Sequence, residues 1–205
     1  MERADALERL SKLEGKNLHE LAQELEISLV GPSQKVNKGW AGHTFERYLG
    51  LPMNSAQSPN FGSWELKVIP LKTLRSGKIV PKETMAVTMI DPYQVSRTPF
   101  ETSHLLSKLQ KAVIVARTVG ATVHEPSYVY DVQAIDLDED EEIYNTVKAD
   151  YELVRDCIND PDRGFKALTG AMGTLIQPRT KGAGHGSTSR AFYARPQFLS
   201  RIFSL

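Results

Sequence analysis

Helical and strand patterns alternate along this chain, and this alternation is the feature that most limits its fold. Leucines recur at three-residue steps within residues 4–14, and Asn17 followed by Glu20 opens a second helical pattern, as in a capping box. A third helix is predicted from about Gly39 to Tyr48. Because helices and strands are interspersed, the sequence predicts a mixed α/β fold with a sheet flanked by helices.

Short runs rich in branched and aromatic residues predict the strands. We predict a strand over residues 64–70 and expect residues 84–90 to pair with it across Ser76 and Gly77. The remaining predicted strands cover residues 112–118, 127–135, 173–177 and 190–194. The remaining predicted helices cover residues 101–111 and 141–158 and start near Pro196.

Length and composition indicate a globular protein that can bury a core. The chain has 205 residues, of which 40% are hydrophobic and 24% charged, as in ordinary soluble proteins. No stretch approaches the ~20 apolar residues of a membrane span, and the charged N-terminus carries no apolar signal region. Cys157 is the only cysteine, which excludes an internal disulfide. We therefore expect a cytoplasmic protein with no membrane partner.

The charges are segregated although the formal net charge is zero. Residues 163–205 contain seven basic and no acidic residues, whereas residues 131–162 contain twelve acidic and two basic residues. Such asymmetry favours a polyanionic partner for the basic segment. The alternative, that the two segments neutralise each other in the fold, stays open at this point.

One pair of residues suggests a chemistry. On a strand, residues i and i+2 share a face, so Glu65 and Lys67 should project together while Leu66 enters the core. A carboxylate helps to hold Mg²⁺, and a neighbouring lysine can orient a water molecule and stabilise negative charge on a phosphate. The pair therefore suits metal-assisted phosphodiester hydrolysis. Most such pairs are solvated surface charges, so the pair alone does not decide the function.

Longer motifs surround this pair, and together they resemble a known family. The motifs are NLHELAQELEI, NKGWAGHTFERYLG, PNFGSWELKVIP, FETSHLLSKLQKAVIV, DEDEEIYNTVKADYELVRDCI and LIQPRTKG…RAFYARPQFLSRIF. From end to end they resemble the MutH mismatch-repair endonucleases and the MutH-like type II restriction endonucleases of the PD-(D/E)xK fold.

This resemblance implies a restriction-endonuclease-like α/β fold with a mixed central sheet, in which two lobes form a DNA-binding cleft. We expect a single domain over residues 1–205. Its catalytic lobe would cover about residues 1–110, and its DNA-reading segment about residues 160–205.

The resemblance also implies the active-site positions. Glu65 falls on a metal ligand, Lys67 on the catalytic lysine, and Glu46 on an accessory acid near the metal. Lys108 falls on a second lysine close to the cleaved phosphate. The catalytic set is Glu46, Asn60, Glu65, Lys67 and Lys108, and the metal-binding set is Asn60, Glu65 and Leu66. We expect Mg²⁺ as the cofactor, with Mn²⁺ as a substitute.

Asn60 departs from the family pattern, which has its first catalytic aspartate at this position. A neutral amide oxygen is a poorer Mg²⁺ ligand than a carboxylate, so cleavage should be severely slowed. Two explanations compete: a deliberate Asp-to-Asn substitution that traps an uncleaved complex, or a natural relative that binds DNA and is weakened or inactive. The other catalytic positions are present, which favours the first explanation.

A glycine-rich basic loop near the C-terminus is the candidate DNA reader. Glycines let backbone N–H groups approach phosphates, and Arg and Lys side chains pair with guanine edges. By resemblance, Tyr193 falls on a tyrosine that senses adenine methylation, although packing on the core is an equal alternative. The alternative for the loop is an ordinary mobile surface segment. The predicted DNA-binding residues are Lys38, Arg179, Lys181, Gly182, Gly184, Ser187, Arg190, Tyr193 and Arg195.

We therefore expect a sequence-specific, Mg²⁺-dependent endonuclease that acts on double-stranded DNA in the manner of a type II restriction enzyme. One alternative is a mismatch-repair nickase that cuts unmethylated or hemimethylated sites with a MutL-type activator. Another alternative, from a different class, is an inactive sequence-specific DNA-binding module. The free protein is expected to be a monomer that dimerises transiently on DNA.

Overall fold

The computed structural model describes residues 1–31, 35–50, 63–120, 122–182 and 188–205. Contacts divide the chain into two compact units. The first unit comprises residues 1–83, 112–135 and 205, and the second comprises residues 84–111 and 136–204. The domain boundaries expected from the sequence stay a prediction.

Every predicted helix and strand has a counterpart in the structure, which adds a helix over residues 92–97 and a short strand over residues 79–81 that were not predicted. The helices are α1 (Arg3–Ser11), α2 (Leu18–Glu24), α3 (Trp40–Tyr48), α4 (Pro92–Arg97), α5 (His104–Leu109), α6 (Glu141–Asn159) and α7 (Pro196–Ile202). The strands are β1 (Glu65–Thr73), β2 (Ile79–Pro81), β3 (Met85–Met89), β4 (Lys111–Thr118), β5 (Val129–Asp136), β6 (Ile176–Thr180) and β7 (Arg190–Ala194). The chain combines these helices with two β-sheets, which confirms the predicted mixed α/β class.

A mixed sheet of order β2-β1-β4-β5 forms the centre of the first unit. β1 runs parallel to β4, with Glu65 opposite Ala112, and antiparallel to β2. One face of this sheet, which includes Leu66 and Val113, packs in the same core as Trp40 and Phe45 of α3. This burial fixes the register of β1, because a slip by one residue would move Glu65 into the apolar core.

The predicted partner of β1 is wrong. Residues 79–81 of β2, and not residues 84–90, return along β1 after the turn at Gly77, whose φ of +83° suits a glycine. β3 pairs instead with β7 in a separate sheet of order β3-β7-β6. Both segments have strand character, and local pattern does not reveal which of two sheets a strand will join.

The predicted helix over residues 101–111 is interrupted. Residues Phe100–Thr102 form a 3₁₀ turn, and Ser103 then caps α5 by accepting a hydrogen bond from the Leu106 N–H at 3.1 Å. Lys111 already belongs to β4.

A buried carboxylate organises the second unit. Asp150 of α6 is 4% exposed, and its oxygens accept hydrogen bonds from the backbone N–H groups of Thr174, Leu175 and Ile176 at 2.6–2.7 Å. β6 begins at Ile176, the last of these three residues, so the strand predicted over residues 173–177 starts later than expected. Gly173 makes the turn with φ +79°, where a Cβ atom would lie 1.9 Å from the Ile176 carbonyl oxygen.

The same turn is held from a second side by α7 and the residue before it. Arg195 donates to the carbonyl oxygens of Gly170 and Met172 at 2.8 and 3.0 Å, and Gln197 donates to the Thr174 carbonyl at 2.6 Å. The start of β6 is therefore fixed by side chains from both α6 and the C-terminal segment.

Among the parts of the chain that the structure describes, no helix combines the length and apolar character that crossing a membrane requires.

Replacing Asp150 by alanine should destabilise the second unit strongly. Three backbone N–H groups would lose their acceptor in a buried place, which should lower the free energy of unfolding on the order of 3 kcal/mol or more. Urea unfolding followed by circular dichroism measures this change. Asp156→Ala removes an exposed carboxylate from the same helix and should shift stability by no more than about 0.5 kcal/mol. Equal effects of the two substitutions would contradict this role of Asp150.

Candidate active site

An ion pair on β1 is the centre of the candidate site. Lys67 Nζ lies 2.8 Å from Glu65 Oε1. The Glu65 side chain is 1% exposed and the Lys67 side chain 19% exposed, while Leu66 points into the core. The structure thus brings Glu65 and Lys67 together on one face of the strand.

The burial of Glu65 explains why this pairing matters. A carboxylate removed from water costs several kcal/mol unless charged or hydrogen-bonding groups compensate for it. Lys67 supplies a direct positive charge, and its partial exposure leaves the ammonium group within reach of an incoming ligand. The neighbouring strand β4 is buried at Ala112, Val113 and Ile114, which holds β1 rigidly beneath the pair.

Glu46 of α3 shares the electrostatic environment of this pair. Partial burial raises the pKa of the Glu46 carboxyl, and the negative charge of Glu65 raises it further. The positive charges of His43 and Lys67 act in the opposite direction on the same pKa. Two carboxylates and a lysine from α3 and β1 therefore act on one another.

His43 was not among the predicted site residues. It precedes Glu46 by three positions on α3, and residues at this spacing are neighbours on a helix surface. This spacing is the sequence signal that could have indicated it.

The available donor atoms suit a hard divalent cation. Glu46 and Glu65 offer carboxylate oxygens, and any contribution of Leu66 must come from its backbone carbonyl, because its side chain has no donor atom. Within the described residues, no group of three or more His, Cys, Asp or Glu side chains could hold a metal ion. Mg²⁺ usually takes only one or two protein carboxylates and keeps several waters, so the two glutamates fit it.

Other predicted catalytic residues have different placements. Asn60 lies outside the described residues. Lys108 lies on α5 in the second unit and is 5% exposed. Lys38 is exposed just before α3. Their roles in catalysis and DNA binding stay predictions.

Two predicted DNA-binding residues lie together on neighbouring strands of the second unit. The Arg179 guanidinium on β6 lies 5.6 Å from the centre of the Tyr193 ring on β7. Arg179 also donates a hydrogen bond to Thr84 Oγ1 at 2.8 Å. Arg179 is exposed and Tyr193 is half-buried, so the pair presents a cation and an aromatic edge on one sheet.

The remaining basic residues differ in what they contact. Arg190, at the start of β7, lies 5.9 Å from the Phe165 ring centre, and the Lys181 backbone N–H bonds to Ser189. Arg195 donates hydrogen bonds to backbone carbonyls within its own unit, and its DNA contact stays a prediction. Gly182 is described, and Gly184 and Ser187 lie outside the described residues.

The acidic segment neutralises one end of the basic segment. Arg201 forms an ion pair with Glu142 at 2.8 Å and lies 3.9 Å from Asp140. The charge of Arg201 is therefore neutralised by acidic residues, whereas Arg179 contacts a hydroxyl group and an aromatic ring.

Comparison with known proteins identifies the family. The family model "DNA mismatch repair enzyme MutH" matches residues 49–150. The MutH protein of Histophilus somni is 34% identical over 227 residues, covering 97% of this chain and 92% of that protein. The MutH protein of Vibrio campbellii is 35% identical over 114 residues, covering 55% of this chain. The type II restriction enzyme Sau3AI of Staphylococcus aureus is 27% identical over 178 residues, covering 85% of this chain.

The matched lengths differ among these relatives. The chain spans 36% of Sau3AI and 48% of the Vibrio protein, but nearly all of the Histophilus protein. By their names, these relatives are DNA mismatch-repair proteins and a type II restriction enzyme. The chain belongs to the MutH family.

The ionised side chain of Glu46 should lower the free energy of unfolding at neutral pH. Because its pKa is raised in the folded state, stability should be greatest below the ordinary carboxyl pKa of about 4.3 and should fall as the pH rises through the raised value. Glu46→Gln should therefore be more stable than the parent at about pH 7, with the difference vanishing near pH 4.

Urea unfolding at the two pH values measures this difference. Glu24→Gln, at an exposed position of α2, is the matched control and should show no such pH-dependent gain. If Glu46→Gln is no more stable than the parent at neutral pH, or if its gain in stability is larger in acid, the raised pKa of Glu46 is contradicted.

Proposed function

We propose that this chain is a divalent-metal-dependent endonuclease that hydrolyses phosphodiester bonds at specific sequences in double-stranded DNA. The observation that carries the proposal is the buried Glu65–Lys67 ion pair beside Glu46 in a MutH-family chain. Mg²⁺ is the proposed metal, with Mn²⁺ as a substitute, because carboxylate oxygens suit both ions.

A divalent ion at such a site acidifies a water molecule and neutralises charge on the scissile phosphate. In this chain, Glu65 and Glu46 would hold the ion, and the amide of Asn60 would supply a weaker third oxygen. Lys67 is held against Glu65, so its ammonium group is positioned to donate to the attacking water or to a phosphate oxygen that gains negative charge. Lys108 is proposed as a second cation for the phosphate.

Recognition is proposed to come from the second unit. Arg179 and Lys181 can pair with guanine edges or phosphates, and Tyr193 offers an apolar ring to a base methyl group. Gly182, Gly184, Ser187 and Arg190 are proposed as backbone and phosphate contacts of the same segment. Lys38 is proposed as a phosphate contact of the first unit.

The mode of cutting distinguishes two candidates. Similarity to Sau3AI over 85% of the chain supports a restriction-type enzyme that cuts both strands, for which the free monomer would dimerise transiently on DNA. Similarity to MutH proteins along nearly their whole length supports a nickase that acts with a MutL-type activator. Supercoiled plasmid separates the two, because linear product indicates double-strand cleavage and nicked circles indicate a nickase. The relatives are bacterial, so we propose action in the cytoplasm.

Asn60→Asp should raise Mg²⁺-dependent cleavage of plasmid DNA by orders of magnitude, because a carboxylate replaces a neutral amide as a metal ligand. The assay is a gel of plasmid topology with Mg²⁺, with Mn²⁺ and with EDTA. Adding Lys67→Met to Asn60→Asp should abolish the gain while DNA binding, measured by mobility shift, is retained.

Two results would contradict the assignment. One is an Asn60→Asp chain that cuts no duplex, including with a MutL-type activator present. The other is an Asn60→Asp chain whose cleavage is undiminished when Lys67→Met is added. Sequence-specific binding without any cleavage in either chain would identify the inactive DNA-binding module instead.

Arg179→Gln should weaken binding to the cognate duplex more than to a random duplex if Arg179 reads bases. Loss of one base contact costs about 1–3 kcal/mol in discrimination. Competition binding at fixed salt measures both affinities, and Lys166→Gln, an exposed position outside the two strands, is the control. Equal losses on both duplexes would reduce Arg179 to a phosphate contact.

A further inference from the structure

The first unit contains a polar cavity of about 180 Å³ that the proposed catalysis does not use. This volume is far above the ~15 Å³ that one water needs by a comparable measure. Its polar lining includes His19 of α2, Trp40 of α3, Lys82, Arg117 of β4, Glu125 and Ser127.

Arg117 is the arginine that lines this cavity. It is half-buried, and Nη1 donates to Ser127 Oγ at 3.0 Å. Its guanidinium carbon lies 4.9 Å from the centre of the Trp40 ring. A guanidinium group has five N–H donors, and within the described residues this one forms no ion pair. Several of its donors are therefore available to a ligand.

The charge of Arg117 is poorly compensated. Burial lowers the pKa of the Arg117 guanidinium, and the carboxylate that opposes this shift is the exposed Glu83. Glu125 lines the same cavity, but its carboxylate accepts a hydrogen bond from the Thr122 N–H at 3.1 Å. A half-buried cation without an ion-pair partner is costly unless an anion completes the site.

Neighbouring groups add to the positive character. Lys82 is exposed at the cavity. Burial lowers the pKa of the His19 imidazole, and the positive charges of Arg117 and His124 lower it further. An anion would relieve these repulsions. The buried Ser127 hydroxyl donates to the Thr118 carbonyl at 2.7 Å and accepts from Arg117, so it orients the guanidinium group.

The cavity is separate from the candidate active site. Arg117 stands opposite Pro70, five positions along the register from Ala112 and Glu65, which corresponds to about 17 Å of strand. Arg117 also shares its face of the sheet with Val113 and Val115, whereas Glu65 and Lys67 lie on the other face.

We propose that this cavity is a binding site for a phosphate group, held by the Arg117 guanidinium with Lys82 and His19. Arg suits this role because its planar donors match two phosphate oxygens at once. The group belongs either to free inorganic phosphate or to a DNA backbone. The proposal does not depend on the cleavage chemistry, because no residue of the Glu65–Lys67 site takes part.

Titration of the full chain with inorganic phosphate at constant ionic strength tests the proposal. The NMR signals of the His19 ring and the Trp40 indole N–H should shift saturably, and the pKa of His19 should rise on binding. Arg117→Gln should weaken binding by about tenfold or more. Arg75→Gln, an exposed arginine of the same unit, should bind as the parent does.

Thermal unfolding shows whether each variant folds. If Arg117→Gln does not fold, Lys82→Gln carries the test and should weaken binding measurably. A lack of saturable shifts in the parent chain, or undiminished phosphate binding by the folded variant, overturns the proposal.

A random-sequence duplex then identifies the source of the phosphate group. If the duplex displaces inorganic phosphate, and Arg117→Gln reduces the slope of log K against log salt by about 1, the site takes a DNA backbone phosphate. If the His19 and Trp40 signals shift with inorganic phosphate but not with the duplex, the site takes the free anion. Either result supports a phosphate site, and neither depends on whether the chain cuts DNA.

Discussion

A buried ion pair between Glu65 and Lys67 is the interaction on which this account depends. A carboxylate that is 1% exposed needs compensation, and a lysine two residues along the same strand supplies it. The strand can hold both groups on one face because its other face is anchored in the core by Leu66. Glu46 then adds a second carboxylate, whose pKa is raised by its partial burial and further by the negative charge of Glu65. Such an excess of carboxylate is what a divalent cation would relieve.

In the second unit, hydrogen bonds hold a strand that carries a basic residue in a defined place. Asp150 and Arg195 fix the turn before β6 through backbone hydrogen bonds. Arg179 leaves that strand beside the Tyr193 ring. Arg201 is neutralised by the acidic start of α6. The zero net charge of the chain therefore conceals a difference between Arg201, which is neutralised by a carboxylate, and Arg179, which contacts a hydroxyl group and an aromatic ring where DNA reading is proposed.

Much of the fold could be predicted from local pattern, since capping residues and apolar periodicity are local properties. The position of Glu65 and Lys67 on one face followed from strand alternation alone. The pairing of residues 84–90 was predicted wrongly, because the choice between two sheets depends on contacts distant in sequence. Asp150 and Arg117 were not singled out for the same reason, since their roles come from groups that the fold brings near them. The roles of the individual site residues stay proposals.

Binding of Mn²⁺ to the Asn60→Asp chain, followed by electron paramagnetic resonance without DNA cleavage, tests the central claim most directly. Loss of a group that only supports a metal ligand costs about 10–100-fold in affinity, so removing a ligand should cost at least as much. The account predicts that Glu65→Gln weakens Mn²⁺ binding by at least this factor, while Glu24→Gln leaves it unchanged. Equal Mn²⁺ affinity in the Glu65→Gln chain and its parent would contradict the account.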